Sequence, residues 1–295
     1  MEQDWFSDRA RIFRESSVMR QLAPVLPAGS VPEILFEDRD NYLFAMTAAP
    51  SGAESWKDLL LRGDIDPGTA EVIGRLQGTI ISSSWKVDRD EAEFGDQTIF
   101  DELRLDPYYR STAARHPDLA PWFHALIEES QSRRFSLVHG DWSPKNFLVN
   151  GASVMAIDFE VIHFGDPSFD AAFLLNHLLL KSFYRPQWRP ALHAASRRFW
   201  SVVQEAVPAP NAWFEAATIQ HLGALLLARI DGKSPAEYIR EDALKNQIRD
   251  YARRLILQPP SRLSTLFPAA HAGDSSPTPF DGPPGLSGDE GCAHL

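Results

Sequence analysis

The chain has 295 residues, 44% apolar and 23% charged, with a formal net charge of −11. That is enough apolar material for one large core or two lobes, and an acidic balance without any basic run excludes nucleic acid as the main partner. The single cysteine, Cys292, lies near the end, which removes disulfide frameworks, structural zinc and thiol nucleophiles from the body.

In chain order, residues 8–22 (DRARIFRESSVMRQL) place Ile12, Phe13, Met19 and Leu22 at rough helical spacing, and Pro24 ends that helix. Residues 1–20 are charged throughout and carry no signal-peptide pattern. Residues 34–36 and 42–46 read as two strands around a polar turn, and residues 47–52 (TAAPSG) as a small-residue connector. Residues 55–61 open a second unit, and residues 69–82 carry Val72, Ile73, Leu76 and Ile80 on one helical face. Residues 85–120 are polar and aromatic; they read as a packed loop, with a substrate-side insertion as the alternative.

Further helices are predicted over 121–129, 171–184, 188–207, 211–229 and 235–257. The longest apolar stretch, 171–180, is broken by Asn176 and His177 and is too short to span a bilayer, so no membrane is expected and the compartment reads as cytoplasm. From Pro259 the composition turns to Pro, Gly, Ser and Asp, which cannot bury enough apolar surface to offset ordering entropy. The organisation expected is therefore a partial small lobe over 1–49, a helical lobe over 50–258 with one catalytic hairpin, and a tail over 259–295, mostly disordered.

The chemistry concentrates in LVHGDWSPKNFLVNGASVMAIDFEVIHFGDPSFD, residues 137–170. Asn150-Gly151 between two short apolar runs is a hairpin signal. A loop over 150–153 pairs Val149 with Val154 and sets Asn146 opposite Ile157; a two-residue loop shifts this by about one pair. In either register Asn146 and Asp158 share the open end and can hold a divalent cation. Mg²⁺ takes one or two carboxylates plus phosphate oxygens and water. Asp141, in a loop stiffened by Pro144, is placed to accept a hydroxyl proton.

HGDWSPKN followed by IDFE resembles the signature of the aminoglycoside phosphotransferase and choline kinase superfamily, small-molecule kinases distantly related to protein kinases. The run FEVIHFGDPSFDAA is similar to the methylthioribose kinase-like branch. The resemblance implies an α+β, protein-kinase-like two-lobe fold with a large, mainly helical C-lobe. It implies Asp141 as catalytic base, Asn146 and Asp158 as metal ligands, and ATP and Mg²⁺ as cofactors. It also places adenine against the backbone of Thr47, Ala48 and Ala49, and the acceptor between the catalytic loop and the helices after residue 170.

Other members of the set carry two readings each. His139 shapes the loop or assists catalysis; Glu160 assists the metal or forms a surface salt bridge; Lys145 is solvated or approaches a phosphate. Asp170 reads as a structural carboxylate bonding loop amides, and Arg229 faces the acceptor or makes a structural salt bridge. The acidic surface would suit a cationic substrate and is equally ordinary for a soluble protein.

The chain departs from the family in its first part. It contains no GxGxxG and no phosphate-loop motif, and no lysine precedes the helix of Glu15, the position where relatives pair a glutamate with that lysine. Glu15 is thus expected to lack a partner and to be structural, and the small β lobe to be truncated. Either a start placed too late or a short form with weak ATP binding accounts for this. The activity expected is ATP-dependent phosphorylation of a hydroxyl on a small molecule, weakened by those losses. The alternatives are a non-catalytic module binding a metabolite or protein, and a metal-dependent hydrolase using Asp141, Asn146, Asp158 and His163.

Overall fold

A computed structural model describes residues 7–269; Cys292 and most of the expected tail lie outside the described residues. Helix α1 (Arg11–Leu22) buries Val18, Met19 and Leu22, and the antiparallel pair β1 (Ile34–Asp38) and β2 (Leu43–Met46) follows it. A short β3 (Glu54–Ser55) leads into α2 (Trp56–Arg62), and α3 (Pro67–Ser84) is capped by Asp66, whose carboxylate accepts the Gly68 and Thr69 N–H groups.

The segment read as a packed loop is helical. It holds α4 (Asp88–Phe94), the single turn α5 (Thr98–Phe100), a π-helical stretch Asp101–Arg110 and α6 (Ser111–Arg115). Pro107 and the wider π turns break the 3.6-residue period that sequence patterning relies on. The stretch is held by burial of Leu103, Leu105, Tyr108 and Tyr109 and by the two-pronged Arg110–Asp101 pair at 2.8 Å.

Then come α7 (Ala120–Ser132), β4 (Ser136–Val138), β5 (Phe147–Asn150), β6 (Ser153–Ala156) and β7 (His163–Gly165). The hairpin register is Val149 with Val154 and Phe147 with Ala156, and the Ile157 N–H reaches the Asn146 carbonyl at 3.0 Å. Gly151, at φ 58°, supplies the left-handed geometry of a two-residue turn. The β lobe-to-hairpin connection is extended beyond one hairpin: β3 pairs with β5, and β4 with β7. These strands of two to four residues are too short to show an alternating pattern.

Helices α8 (Ser168–Tyr184), α9 (Arg189–Ala206), α10 (Ala212–Asp231) and α11 (Asp242–Leu257) form the bulk of the core. Helix α3 packs along α9, and α10 packs on α8 and α11. Gly74 makes the α3–α9 approach possible: a Cβ there would sit 2.4 Å from Val202 and 2.9 Å from the Phe199 carbonyl. The last helix starts at Asp242, not at 235, because residues 233–241 form a loop stitched to the end of α10 by the Ala236 N–H on the Arg229 carbonyl at 2.8 Å. Of the stretch assigned to the tail, Leu263, Leu266 and Phe267 are buried against the body. No helix among the described residues is long and apolar enough to cross a membrane.

Candidate active site

The loop after β4 is shaped by one glycine and one carboxylate. Gly140 has φ 78°, and a Cβ there would lie 2.7 Å from Val161 Cγ1 and 3.0 Å from the Val161 carbonyl. Asp170, on α8, accepts the His139 N–H at 2.7 Å and the Gly140 N–H at 2.9 Å. Burial pushes Asp170 up to about 7, with the two N–H donors opposing. His139 donates Nε2–H to the Ile157 carbonyl at 3.1 Å and accepts the Asp141 N–H on Nδ1 at 3.2 Å. Burial pushes its imidazole down to about 4, so it is a neutral brace under the loop.

That loop presents Asp141, which is buried. Arg104 Nη2 lies 3.0 Å from its carboxylate and Lys145 Nζ 2.9 Å. Burial alone would raise this carboxyl, but the two cations outweigh burial and hold it well below the usual carboxylate range. Arg104 also donates to the Gly140 carbonyl at 2.6 Å and the Leu103 carbonyl at 2.7 Å, which ties the π-helical stretch to the loop after β4.

Lys145 is half-exposed and also lies 3.6 Å from Asp158, so one ammonium spans both carboxylates. Asp158 takes φ 68°, a backbone conformation outside the hairpin's extended geometry. Asn146 donates Nδ2–H to the Asp141 carbonyl at 2.9 Å, which turns its Oδ1 away from that carbonyl. Oδ1 of Asn146 and the part-exposed Asp158 are the oxygen donors at this edge. Two protein oxygens fit Mg²⁺, which keeps waters and takes phosphate oxygens. They do not fit an all-protein cage, and no group of three or more His, Cys, Asp or Glu suited to a metal occurs among the described residues.

Other expected residues are placed as follows. Glu15 does have a partner: its Oε1 accepts the Phe159 N–H at 3.0 Å, and burial together with the Asp158 charge pushes it up to about 7. Glu160 pairs with Arg11 at 2.7 Å. Thr47 donates its N–H to the Glu33 carbonyl at 2.9 Å, just beyond the β1–β2 pair. His163 is buried, stacks on Phe100 and turns Nδ1 to the Val161 carbonyl, which removes it from a ligand set. Arg229 makes no salt bridge among the described residues; its Nη1 donates to the Ser234 carbonyl at 2.6 Å and hydroxyl at 2.8 Å.

A cavity of about 310 Å³ opens beside Asp141. Its walls come from the π-helical stretch, the loop after β4, α8, the end of α10 and the loop after it. Arg104 and Lys181 line it and were not anticipated from sequence. The available signal was a charge set in an apolar context, Arg104 between two leucines and Lys181 at the end of Leu178–Leu180.

A family model described as the phosphotransferase enzyme family matches residues 4–206. Among solved structures, a choline/ethanolamine kinase family protein from Mesorhizobium loti is 15% identical with a TM-score of 0.51, over 86% of this chain and 80% of that one. An amicoumacin kinase, hAmiN, in complex with AMP-PNP, Ca²⁺ and Ami is 16% identical with a TM-score of 0.49, over 87% and 80%. The aminoglycoside phosphotransferase APH(2'')-Ib in its ADP-bound form is 14% identical with a TM-score of 0.48, over 84% of each. Comparison with curated proteins gives no match. The fold is thus α+β and kinase-like, a small sheet portion with a large helical portion, and the chain belongs to the phosphotransferase enzyme family.

Proposed function

We propose that this chain transfers the γ-phosphoryl group of ATP to a hydroxyl of a small molecule. The observation that carries the reading is the bridge of Asp141 and Asp158 by Lys145 at the mouth of a cavity, with Asn146 bonded to the same loop. The acceptor hydroxyl donates to Asp141, which orients it. Its oxygen attacks phosphorus in line, the bond to the ADP oxygen breaks, and the proton passes to Asp141 as charge leaves the hydroxyl. With a low carboxyl pKa, Asp141 serves chiefly to orient until late in transfer. Asn146 and Asp158 would hold Mg²⁺, which supplies neutralisation of phosphate charge. Lys145 exchanges its contact with the carboxylates for one with the transferring group.

The connector over 47–52 serves as hinge between residues 1–49 and 50–258, with adenine on Ala48 and Ala49. The run over 159–172 supports a placement near the methylthioribose kinase-like branch. Glu15 meets no lysine among the described residues and spends its oxygen on Phe159, which supports low turnover. The same observation favours the second reading, a metabolite-binding module. Mg–ATP thermal stabilisation and transfer to a panel of alcohols test both. Asp141→Asn is expected to abolish turnover while nucleotide affinity changes little. Full turnover in that variant removes Asp141 from the mechanism.

A further inference from the structure

The cavity beside Asp141 is lined by five cations, Lys57, Arg104, Lys145, Lys181 and Arg229, against three carboxylates, Asp141, Glu160 and Glu237. The carboxylates are already engaged. Asp141 faces Arg104 and Lys145, Glu160 faces Arg11 from outside the cavity, and Glu237 faces Lys57 at 2.5 Å. Two cations are left without a counter-ion. Lys181 is only 1% exposed, lies with Nζ 5.3 Å from the Tyr238 ring centroid, and pairs with no carboxylate among the described residues. Arg229 spends Nη1 on the neutral Ser234, and its buried Nε has no hydrogen-bond partner.

An ammonium buried without a counter-ion is costly, and the half-buried Arg229 guanidinium on the same cavity wall repels it. Such an arrangement persists at a stability cost that a ligand can offset. Burial and the charges of Arg229 and Lys57 push Lys181 down to about 7, with Glu237 opposing; His177 and Tyr238 complete the groups around it. A bound anion would restore its proton.

We infer that the acceptor alcohol is itself a small anion, a hydroxylated carboxylate or phosphate ester whose charged end sits between Lys181 and Arg229 while its hydroxyl reaches Asp141. This rests on the kinase reading for the word acceptor; the anion site stands on the cations alone. The volume of about 310 Å³ suits a small metabolite, since ligand pockets start near ~300 Å³. A cationic amine would bring like charge against Lys181 and Arg229, despite the overall charge of −11. Nucleotide phosphates do not account for the pair. None of the cavity wall comes from α1, β1, β2 or the 47–52 connector, where the nucleotide is placed, and the two cations lie on α8 and α10.

The test is titration of the full chain, at fixed ionic strength, with gluconate, sorbitol and glucosamine, with glycerate as a shorter carboxylate and glucose 6-phosphate as the phosphate arm. At least one anion is expected to raise the melting midpoint by a few degrees and to be displaced by sulfate, while sorbitol and glucosamine leave it unmoved. Carboxylate or phosphate is decided by which arm responds. Lys181→Met, which keeps the volume, and Arg229→Gln are each expected to weaken that anion about tenfold or more. Mg–ATP stabilisation persists in both variants. Glucosamine binding with no anion response, no response to any anion, or anion affinity unchanged in both variants overturns the inference. Loss of the Mg–ATP response in Lys181→Met also overturns it, because the cations would then serve the nucleotide. An anion response without any Mg–ATP response in the unaltered chain refutes the kinase reading and leaves the anion site in place.

Discussion

Arg104 is the strongest point at which to perturb the site, because it holds both the charge of Asp141 and the backbone of its loop. Arg104→Met removes the 3.0 Å pair with Asp141 and two hydrogen bonds to the Gly140 and Leu103 carbonyls. Asp141 stays buried, with only the half-exposed Lys145 as counter-charge. Breaking a buried pair from one side costs ~3–5 kcal/mol. Lys145 reduces that loss, and the Gly140 carbonyl left without its Arg104 donor adds about 1–3 kcal/mol. A net loss of about 3–5 kcal/mol follows, within the ~5–15 kcal/mol of an ordinary domain.

Urea unfolding across pH measures it. The Asp141 carboxyl is depressed in the folded chain, so its stabilisation is present above the unfolded value of about 3.9 and is lost as pH falls through the folded value. Without Arg104 the carboxyl rises, so the deficit is largest near neutral pH and narrows below about pH 4. Arg104→Lys keeps charge without the fork and is expected to recover only part of the loss. A deficit under about 1 kcal/mol near neutral pH, the size of an exposed pair, would refute the claim that Arg104 anchors the loop.

Two further predictions concern the same loop and its neighbour. Gly140→Ala puts a Cβ at positive φ and into Val161, so it is expected to lose about 1–2 kcal/mol from conformation alone, more from the clash, and most turnover; calorimetry and a kinase assay read both. Glu15 sits at about 7 in the folded chain against 4.5 when free, so its contribution to stability falls as pH rises from about 4.5 to about 7. Glu15→Gln keeps an acceptor for the Phe159 N–H and removes that slope; the variant is expected to be about 1–3 kcal/mol more stable than the parent above pH 7, and an unchanged pH profile in urea unfolding counts against it.

The parts read correctly from sequence are those whose cause is local. Asn150-Gly151 dictates a turn, the runs on either side dictate strands, and together they carry Asn146 and Asp158 to one end of a hairpin, five residues beyond Asp141 in the case of Asn146. Helices α1 and α3 were readable because their apolar faces repeat at 3.6 residues, whereas α8 and α10 are buried on nearly every side. Residues 85–120 were not, because short helices around a π-helical stretch with Pro107 carry no such period. The start of α11 at Asp242 rather than 235 is set by a tertiary contact, the Ala236 N–H on the Arg229 carbonyl, which holds that stretch as a loop.

The sequence by itself therefore determined the hairpin over 147–156, the polar groups Asp141, Asn146 and Asp158 around it, and the family. Only the tertiary structure decided what surrounds them: Arg104 against Asp141, Glu15 against Phe159, and Lys181 and Arg229 together on one cavity wall. Charge pairing acts through space between residues far apart in the chain, so no local spacing encodes it, and the sign of the cavity differs from the sign of the whole molecule for that reason.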